Sequence, residues 1–185
     1  MNIFKRFISV SLILVSLVFT GCEKTQPGSI PLPPPPSRTY SNKEMSDSMR
    51  YNGIYATSTA TVDAKYVLTT KEWVTRDFSQ GLAAFQFQMG INNWTAESND
   101  CDKFSLATMF YAKWLSFSSK NRNVNASLGM GEVFYMKTGL GGHAINFFIF
   151  KEQDGSLMVH FYEPQTRTFV TLSDVERSSI FFWRL

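Results

Sequence analysis

Apolar residues recur at helical spacing in a first stretch near the middle of the chain. They fall three or four positions apart, and Thr69 with Glu72 three residues later forms the pattern of a capping box. Gly90 follows the last apolar position and is well placed to end a helix. The apolar positions of this predicted helix are Val74, Phe78, Leu82, Phe85 and Met89.

A second helical pattern begins at Cys101. Asn99 and Asp100 directly precede it and are favourable N-cap residues, and the polar run SSKNRN ends the pattern. The thiol of Cys101 is therefore predicted to lie in or just before the first turn of an amphipathic helix. Its apolar stripe is predicted to comprise Phe104, Ala107, Phe110, Tyr111, Trp114 and Leu115.

Beyond residue 130 the apolar period changes to two, which is typical of β-strands. QDGS at 153–156 is a predicted turn, and the β-branched stretch within 43–68 holds one or two short strands. The predicted strands after the helices are 132–137, 144–150, 157–163, 168–172 and 180–185. Helices followed by an antiparallel meander predict an α+β fold, with the N-terminal helices packed on an antiparallel sheet.

The N-terminus has the organisation of an export signal. Lys5 and Arg6 precede the apolar run Phe7–Phe19, which is shorter than the roughly 20 residues that span a bilayer. The VFTGC end resembles a bacterial lipobox, which implies that residues 1–21 are a signal peptide and that Cys22 carries lipid. A plain signal peptide cleaved elsewhere is the alternative.

Residues 22–42 are predicted to form a tether, because the four consecutive prolines 33–36 favour an extended conformation. Residues 43–185 then form one domain, held in the bacterial cell envelope by the lipid. The formal net charge is +3, and Lys5 and Arg6 belong to the predicted signal peptide. The mature chain is therefore close to neutral, which argues against nucleic acid as a partner.

Cys101 is the first candidate for chemistry. The chain has only two cysteines, and a lipidated Cys22 cannot form a disulfide, so Cys101 would be an unpaired thiol in an exported protein. Exposed thiols outside the cytoplasm tend to oxidise, which favours a catalytic use, with a buried structural cysteine as the alternative. A helix N-terminus favours the thiolate and can stabilise an oxyanion.

A nucleophilic thiol needs a base, and the predicted hairpin offers His143. If Phe150 faces Ser156 across the turn, His143 faces Glu163, whereas His160 points to the opposite face. Other registers, shifted by a residue or more, stay open. Cys101, His143 and Glu163 are thus the predicted nucleophile, base and orienting acid. The alternatives are a structural histidine and an exposed carboxylate at a strand end.

The segments DCDKFSL, GGHAINFFIF and FYEPQT resemble the Cys–His–acid order of papain-like and transglutaminase-like thiol enzymes. The nearest resemblance is to the papain-like peptidase domain at the C-terminus of fungal agglutinins. It implies a papain-like fold that hydrolyses peptide or amide bonds, with Cys101, His143 and Glu163 in the roles given above. That agglutinin domain is calcium-dependent, so Asp100 and Asp102 are candidates for a cation site, with helix capping as the alternative role. No other cofactor is expected.

The resemblance leaves the oxyanion donor open. Papain carries a glutamine six residues before its cysteine, where this chain has Thr95. Asn146 is predicted to point away from His143 and to act as a supporting residue. The nearby amides that could serve instead are Gln88, Asn92, Asn93 and Asn99.

Two other functions fit the same residues. An NlpC/P60-type cell-wall hydrolase has a similar helix start, DCSG, and cleaves peptide bonds in peptidoglycan stems. A non-catalytic surface-binding or immunity module on an enzyme-like fold is the second alternative, because Asp100 and Asp102 disfavour a thiolate at Cys101. The expected partners are therefore a peptide or a peptidoglycan stem, and the membrane through the lipid anchor.

Overall fold

The computed structural model describes residues 38–91, 93, 95, 100–118 and 126–185. The predicted signal peptide, the predicted lipidation site Cys22 and most of the predicted tether lie outside the described residues. The folded domain includes Tyr40, shortly before the predicted boundary, because Tyr40 is buried and pairs with Tyr66. Within the described ranges, no helix combines the length and the apolar character needed to cross a bilayer.

The order of elements is α+β, as predicted. The helices are α1 (Asn42–Tyr51), α2 (Lys71–Trp73), α3 (Ser79–Gln88), α4 (Cys101–Ser118) and α5 (Asp174–Ser178), and a π-helical turn (Val74–Phe78) joins α2 to α3. The strands are β1 (Tyr40–Ser41), β2 (Ser58–Ala60), β3 (Lys65–Val67), β4 (Ser127–Leu128), β5 (Met130–Lys137), β6 (Gly141–Lys151), β7 (Leu157–Glu163), β8 (Thr168–Val170) and β9 (Phe182–Arg184).

The main sheet has six strands in the order β2-β9-β5-β6-β7-β8. Strands β5 to β8 form the predicted antiparallel meander. The last strand does not extend it, because β9 returns to the other side of the meander and pairs antiparallel with β5. Strand β2 then lies parallel to β9, and β1, β3 and β4 form a separate small sheet.

Both faces of the main sheet are covered, which explains why β6 is buried from Ala144 to Phe150. One face packs on α1 through Met45 and Met49. The other face packs on α2, α3 and α4 in a second buried cluster. Side chains alternate along β6, so Ile145 and Phe147 belong to the α1 cluster and Phe148 belongs to the α4 cluster.

The ends of the first predicted helix lie close to their predicted positions. The N-cap is Thr70 and not Thr69, because the Thr70 hydroxyl accepts a hydrogen bond from the backbone of Trp73. Gly90 ends the helix with a left-handed φ of 70°, which glycine adopts without steric penalty. Helix α1 was not predicted, although Ser41 and Glu44 form a complete capping box.

The predicted stripe of α4 is partly wrong. Phe104, Ala107, Tyr111 and Leu115 are buried, but Phe110 and Trp114 are exposed at 60% and 41%. Helix α4 contacts the sheet and α3 from two sides, so the stripe divides between a buried centre and a rim. At that rim, Phe110 stacks on Phe85 of α3 with ring centroids 5.9 Å apart.

Candidate active site

The β6–β7 hairpin determines which residues meet at its open end. Its closing pair is Lys151 with Leu157, and Phe150 pairs with Met158, so the predicted pairing of Phe150 with Ser156 is wrong. The turn is tight because Gly155 adopts a φ of 87° and donates to the carbonyl of Glu152. The resulting register differs by two residues from the predicted one, and a shift of two leaves every side chain on its face.

His143 and Glu163 nevertheless meet, so the predicted contact is confirmed. They lie diagonally across the two strands, with His143 Nε2 2.9 Å from Glu163 Oε2. Both side chains are only 12% exposed. The other carboxylate oxygen, Oε1, accepts from the backbone N–H of Gln165 at 3.3 Å. The carboxylate is therefore held at both oxygens, and it holds the imidazole by Nε2.

The second ring nitrogen of His143 has no hydrogen-bond partner within the described part of the chain. Because Glu163 accepts the proton on Nε2, the neutral imidazole presents an unprotonated Nδ1. A carboxylate that fixes the tautomer in this way is the usual arrangement of a base that accepts a proton from a nucleophile.

Tyr135 forms one wall of the site. It pairs with His143 across β5 and β6, and the two rings meet in a T-shaped arrangement with centroids 5.6 Å apart. Burial raises the pKa of Tyr135, and the charges of Glu176, Glu163 and Cys101 raise it further. Cys101 and Glu163 therefore lie close enough to the same phenol to act on it electrostatically.

Cys101 is the first residue of α4, as predicted, and its free thiol is partly buried. Helix α4 lies along β6, and Asn146 of β6 donates to the carbonyl of Ser105, one turn after the thiol. Among the described residues, no hydrogen bond joins the Cys101 sulfur to His143. The structure thus brings His143 and Glu163 into contact and places Cys101 at the start of α4, without a formed thiol–imidazole bond.

Asp100 and Asp102 interact with each other and with the first turn of α4. Their mutual hydrogen bond, which is the largest effect on both groups, raises the pKa of Asp102 and lowers that of Asp100. Asp102 also accepts from the backbone N–H of Lys103 at 2.9 Å, and Asp100 accepts from the Lys103 ammonium at 3.5 Å. These opposite shifts favour the charged form of Asp100 and the neutral form of Asp102.

Among the residues that the structure describes, Asp100 and Asp102 have no further carboxylate or imidazole partner that would complete a cation site. Within the described ranges, no group of three or more histidine, cysteine, aspartate or glutamate side chains is arranged to hold a metal ion.

Two of the other sequence candidates, His160 and Gln88, do not belong to this site. His160 is on the opposite face, as predicted, with Nε2 3.3 Å from Glu152. Gln88 lines a groove of about 280 Å³ with Phe85, Phe110 and Trp114, among other residues, and neither Cys101 nor His143 is part of its lining. Asn92 and Asn99 lie outside the described residues, and Asn93 is exposed.

Sequence reasoning missed a buried carboxylate beneath α4. Glu132 is 1% exposed, accepts from the Ser105 hydroxyl at 2.9 Å and forms a salt bridge with Arg184 at 2.6 Å. Burial raises its pKa, which the contacts with Ser105 and Arg184 partly offset. A signal was present, since Glu132 is an acid at the start of a predicted strand and Arg184 is a base in the last one.

Solved structures show what this fold is similar to. One is the PSL1a–E64 complex, and another is Polyporus squamosus lectin bound to the human-type influenza-binding epitope Neu5Aca2-6Galb1-4GlcNAc. Each has a TM-score of 0.57 and 20% sequence identity over 80% of this chain. The likeness covers 51% and 49% of those chains, so this chain spans about half their length. No protein-family model and no curated protein matches the chain.

Proposed function

We propose that the protein is a thiol hydrolase with a papain-like fold that cleaves peptide or amide bonds. Cys101 is the nucleophile, His143 is the base and Glu163 orients it. The observation that supports this proposal best is the shielded contact of 2.9 Å between His143 Nε2 and Glu163, which leaves Nδ1 for the thiol. Supporting it further, Cys101 begins an 18-residue helix whose N-terminus favours an anion.

The reaction uses each of these groups in turn. His143 Nδ1 takes the proton of the Cys101 thiol, and the sulfur attacks the substrate carbonyl. The backbone N–H groups at the start of α4 stabilise the oxyanion that forms. The imidazolium then gives its proton to the leaving amine, which leaves an acyl–thioester on Cys101. A water deprotonated by His143 attacks this thioester, and release of the acid returns the proton to the thiolate–imidazole pair.

The proposal places the enzyme in the cell envelope, anchored through lipid on Cys22. Its substrate class is a peptide or the peptide stem of peptidoglycan. Digestion of purified peptidoglycan alongside an unstructured protein such as casein separates these two substrate classes. Release of stem peptides alone supports the cell-wall alternative, and cleavage of casein supports a general peptidase.

A second candidate is a non-catalytic surface-binding module, and the comparisons favour it over the hydrolase because the similar structures are of a lectin. The groove lined by Phe110 and Trp114 offers exposed aromatic faces on which a sugar ring could stack. In this case glycan binding would be lost in Trp114→Ala and unchanged in Cys101→Ala.

The pH dependence of iodoacetamide labelling at Cys101 tests the hydrolase proposal. We expect labelling to persist well below the usual thiol pKa of about 8.5, because His143 and the helix N-terminus stabilise the thiolate. His143→Ala should abolish this labelling at low pH, whereas the matched control His160→Ala should retain it. The epoxide E64, which a thiolate opens to a thioether, is a second probe and should modify Cys101 alone.

Labelling that rises only near pH 8.5 in the unmodified sequence contradicts the hydrolase. Together with glycan binding that survives Cys101→Ala, this result would establish the binding module in its place.

A further inference from the structure

A buried polar cluster joins the helix that carries Cys101 to the strand that carries His143. Asn146 of β6 has no exposed surface, and its Nδ2 donates to the carbonyls of Ser105 and Gly131 at 3.2 Å each. Ser105 lies one turn after Cys101 on α4, and Gly131 lies on β5. A single amide on β6, the strand that carries His143, therefore contacts both α4 and β5.

The Ser105 hydroxyl extends this cluster. It donates to Glu132 of β5 at 2.9 Å, and Glu132 pairs directly with Asn146 across the sheet. The other oxygen of Glu132 is bound by Arg184 of β9. Both polar groups of Ser105, its carbonyl and its hydroxyl, are thus fixed to the sheet, and this docks the first two turns of α4 at one position along β6.

The same position on β6 is unfavourable for an amide on stability grounds alone. Asn146 Oδ1 is buried and has no hydrogen-bond partner among the described residues, and an unpaired buried acceptor destabilises the folded state. Its neighbours on that face of β6 include the apolar side chains of Ala144 and Phe148. Polar residues retained at such positions are typical of functional sites.

We propose that Asn146 is a positioning residue for the thiol–imidazole pair. It fixes how far α4 sits along β6, and so it sets the separation of the Cys101 sulfur from His143 Nδ1. An error of about 1 Å between reacting groups lowers rates by about a hundredfold, so a small slip of α4 uncouples the thiol from its base. This inference rests on the proposed function.

A double-mutant cycle on the full chain tests the coupling. The rate of iodoacetamide alkylation of Cys101 at pH 6 is measured with and without His143→Ala, in the original sequence and in Asn146→Leu. We expect His143→Ala to lower the rate about tenfold in the original sequence and less than twofold beside Asn146→Leu. Asn146→Asp, which keeps the shape but removes both donors, is the second variant if the leucine protein does not fold.

Thr108→Val is the matched control. Thr108 is also fully buried on α4, but its hydroxyl donates to the Phe104 carbonyl within the helix and not to the sheet. The Thr108→Val variant should have a lower melting temperature and still show the tenfold effect of His143→Ala on the alkylation rate. Ser105→Ala, which keeps the carbonyl that Asn146 binds, should also retain most of it.

A full His143 effect in the Asn146 variants overturns the positioning role. Loss of the effect in Thr108→Val as well assigns it to general loosening of the fold and also overturns it. Absence of any His143 effect in the original sequence is the distinct failure of the proposed thiol chemistry, and the positioning role is rejected with it.

Discussion

The β6–β7 hairpin carries two histidine–glutamate pairs, which differ in their separation, their exposure to water and their neighbours. His143 and Glu163 meet at its open end with 2.9 Å between them, and His160 and Glu152 meet near the turn at 3.3 Å. The first pair is 12% exposed at both side chains, and the second is 28% and 45% exposed. Water competes for the second pair, and such exposed pairs contribute little.

Their neighbours differ as well. The His143 ring packs against the Tyr135 ring in a T-shaped arrangement. The pKa of that phenol is also raised by the charge of Cys101. The His160 ring lies 5.3 Å from Phe150 and 6.1 Å from Phe169, measured between centroids. An imidazole beside a carboxylate is therefore a poor indicator of chemistry by itself. Shielding from water and a thiol on an adjoining helix are what distinguish the first pair.

Removing each histidine should give the largest contrast. We expect His143→Ala to lower the hydrolysis rate by at least about a hundredfold, because a general base contributes 10² to 10⁴. His160→Ala should leave the rate within about twofold. The measurement is kcat/KM on a peptide or peptidoglycan-stem substrate, with Cys101→Ala as the inactive reference. Equal losses in the two histidine variants would contradict the distinction between the pairs.

Removing each carboxylate should give a smaller contrast. Glu163→Gln should lower kcat about tenfold with little change in KM, because Glu163 orients the base and does not contact the reacting atoms. Glu152→Gln is the matched variant at the other pair and should behave like the original sequence. A Glu163→Gln protein with full kcat would show that the tautomer of His143 does not depend on this contact.

The aromatic wall should have the smallest effect of the three. Tyr135→Leu removes the ring that packs on His143, and we expect a decrease of about threefold in the rate of iodoacetamide labelling at pH 6, within the range of a single aromatic contact. Tyr135→Phe keeps the ring and should label like the original sequence. An equal loss in the phenylalanine and leucine variants would assign the role to the hydroxyl instead of the ring.

Much of the hairpin could be predicted from the sequence because its signals are local. The alternation within 157–163 and the glycine of the turn locate β7 and its neighbour. Because side chains alternate between the two faces of a sheet, the sequence also predicts that His143 and His160 lie on opposite faces. The register was wrong by two residues because it depends on how the turn closes. The contact of His143 with Glu163 survived, since a shift of two preserves the face and long side chains reach diagonally.

What the sequence could not predict depends on contacts between distant segments. Nothing local indicates that β9 pairs with β5, and so the partnership of Glu132 with Arg184 was missed. Likewise, an apolar stripe does not reveal how many partners a helix has, and Trp114 was predicted to be buried although it lies at a rim. The distance between Cys101 and His143 belongs to the same class, because it depends on how α4 docks on β6.

The position of β9 has a consequence for how the protein is made. Strand β2 gains a partner in the main sheet only when residues 182–184 are in place. Residues 58–60 therefore cannot join the sheet until the C-terminal strand has formed. Such long-range pairing slows folding, since a large loop must close before the contacts form. Completion of the main sheet is therefore expected to be a late step in folding.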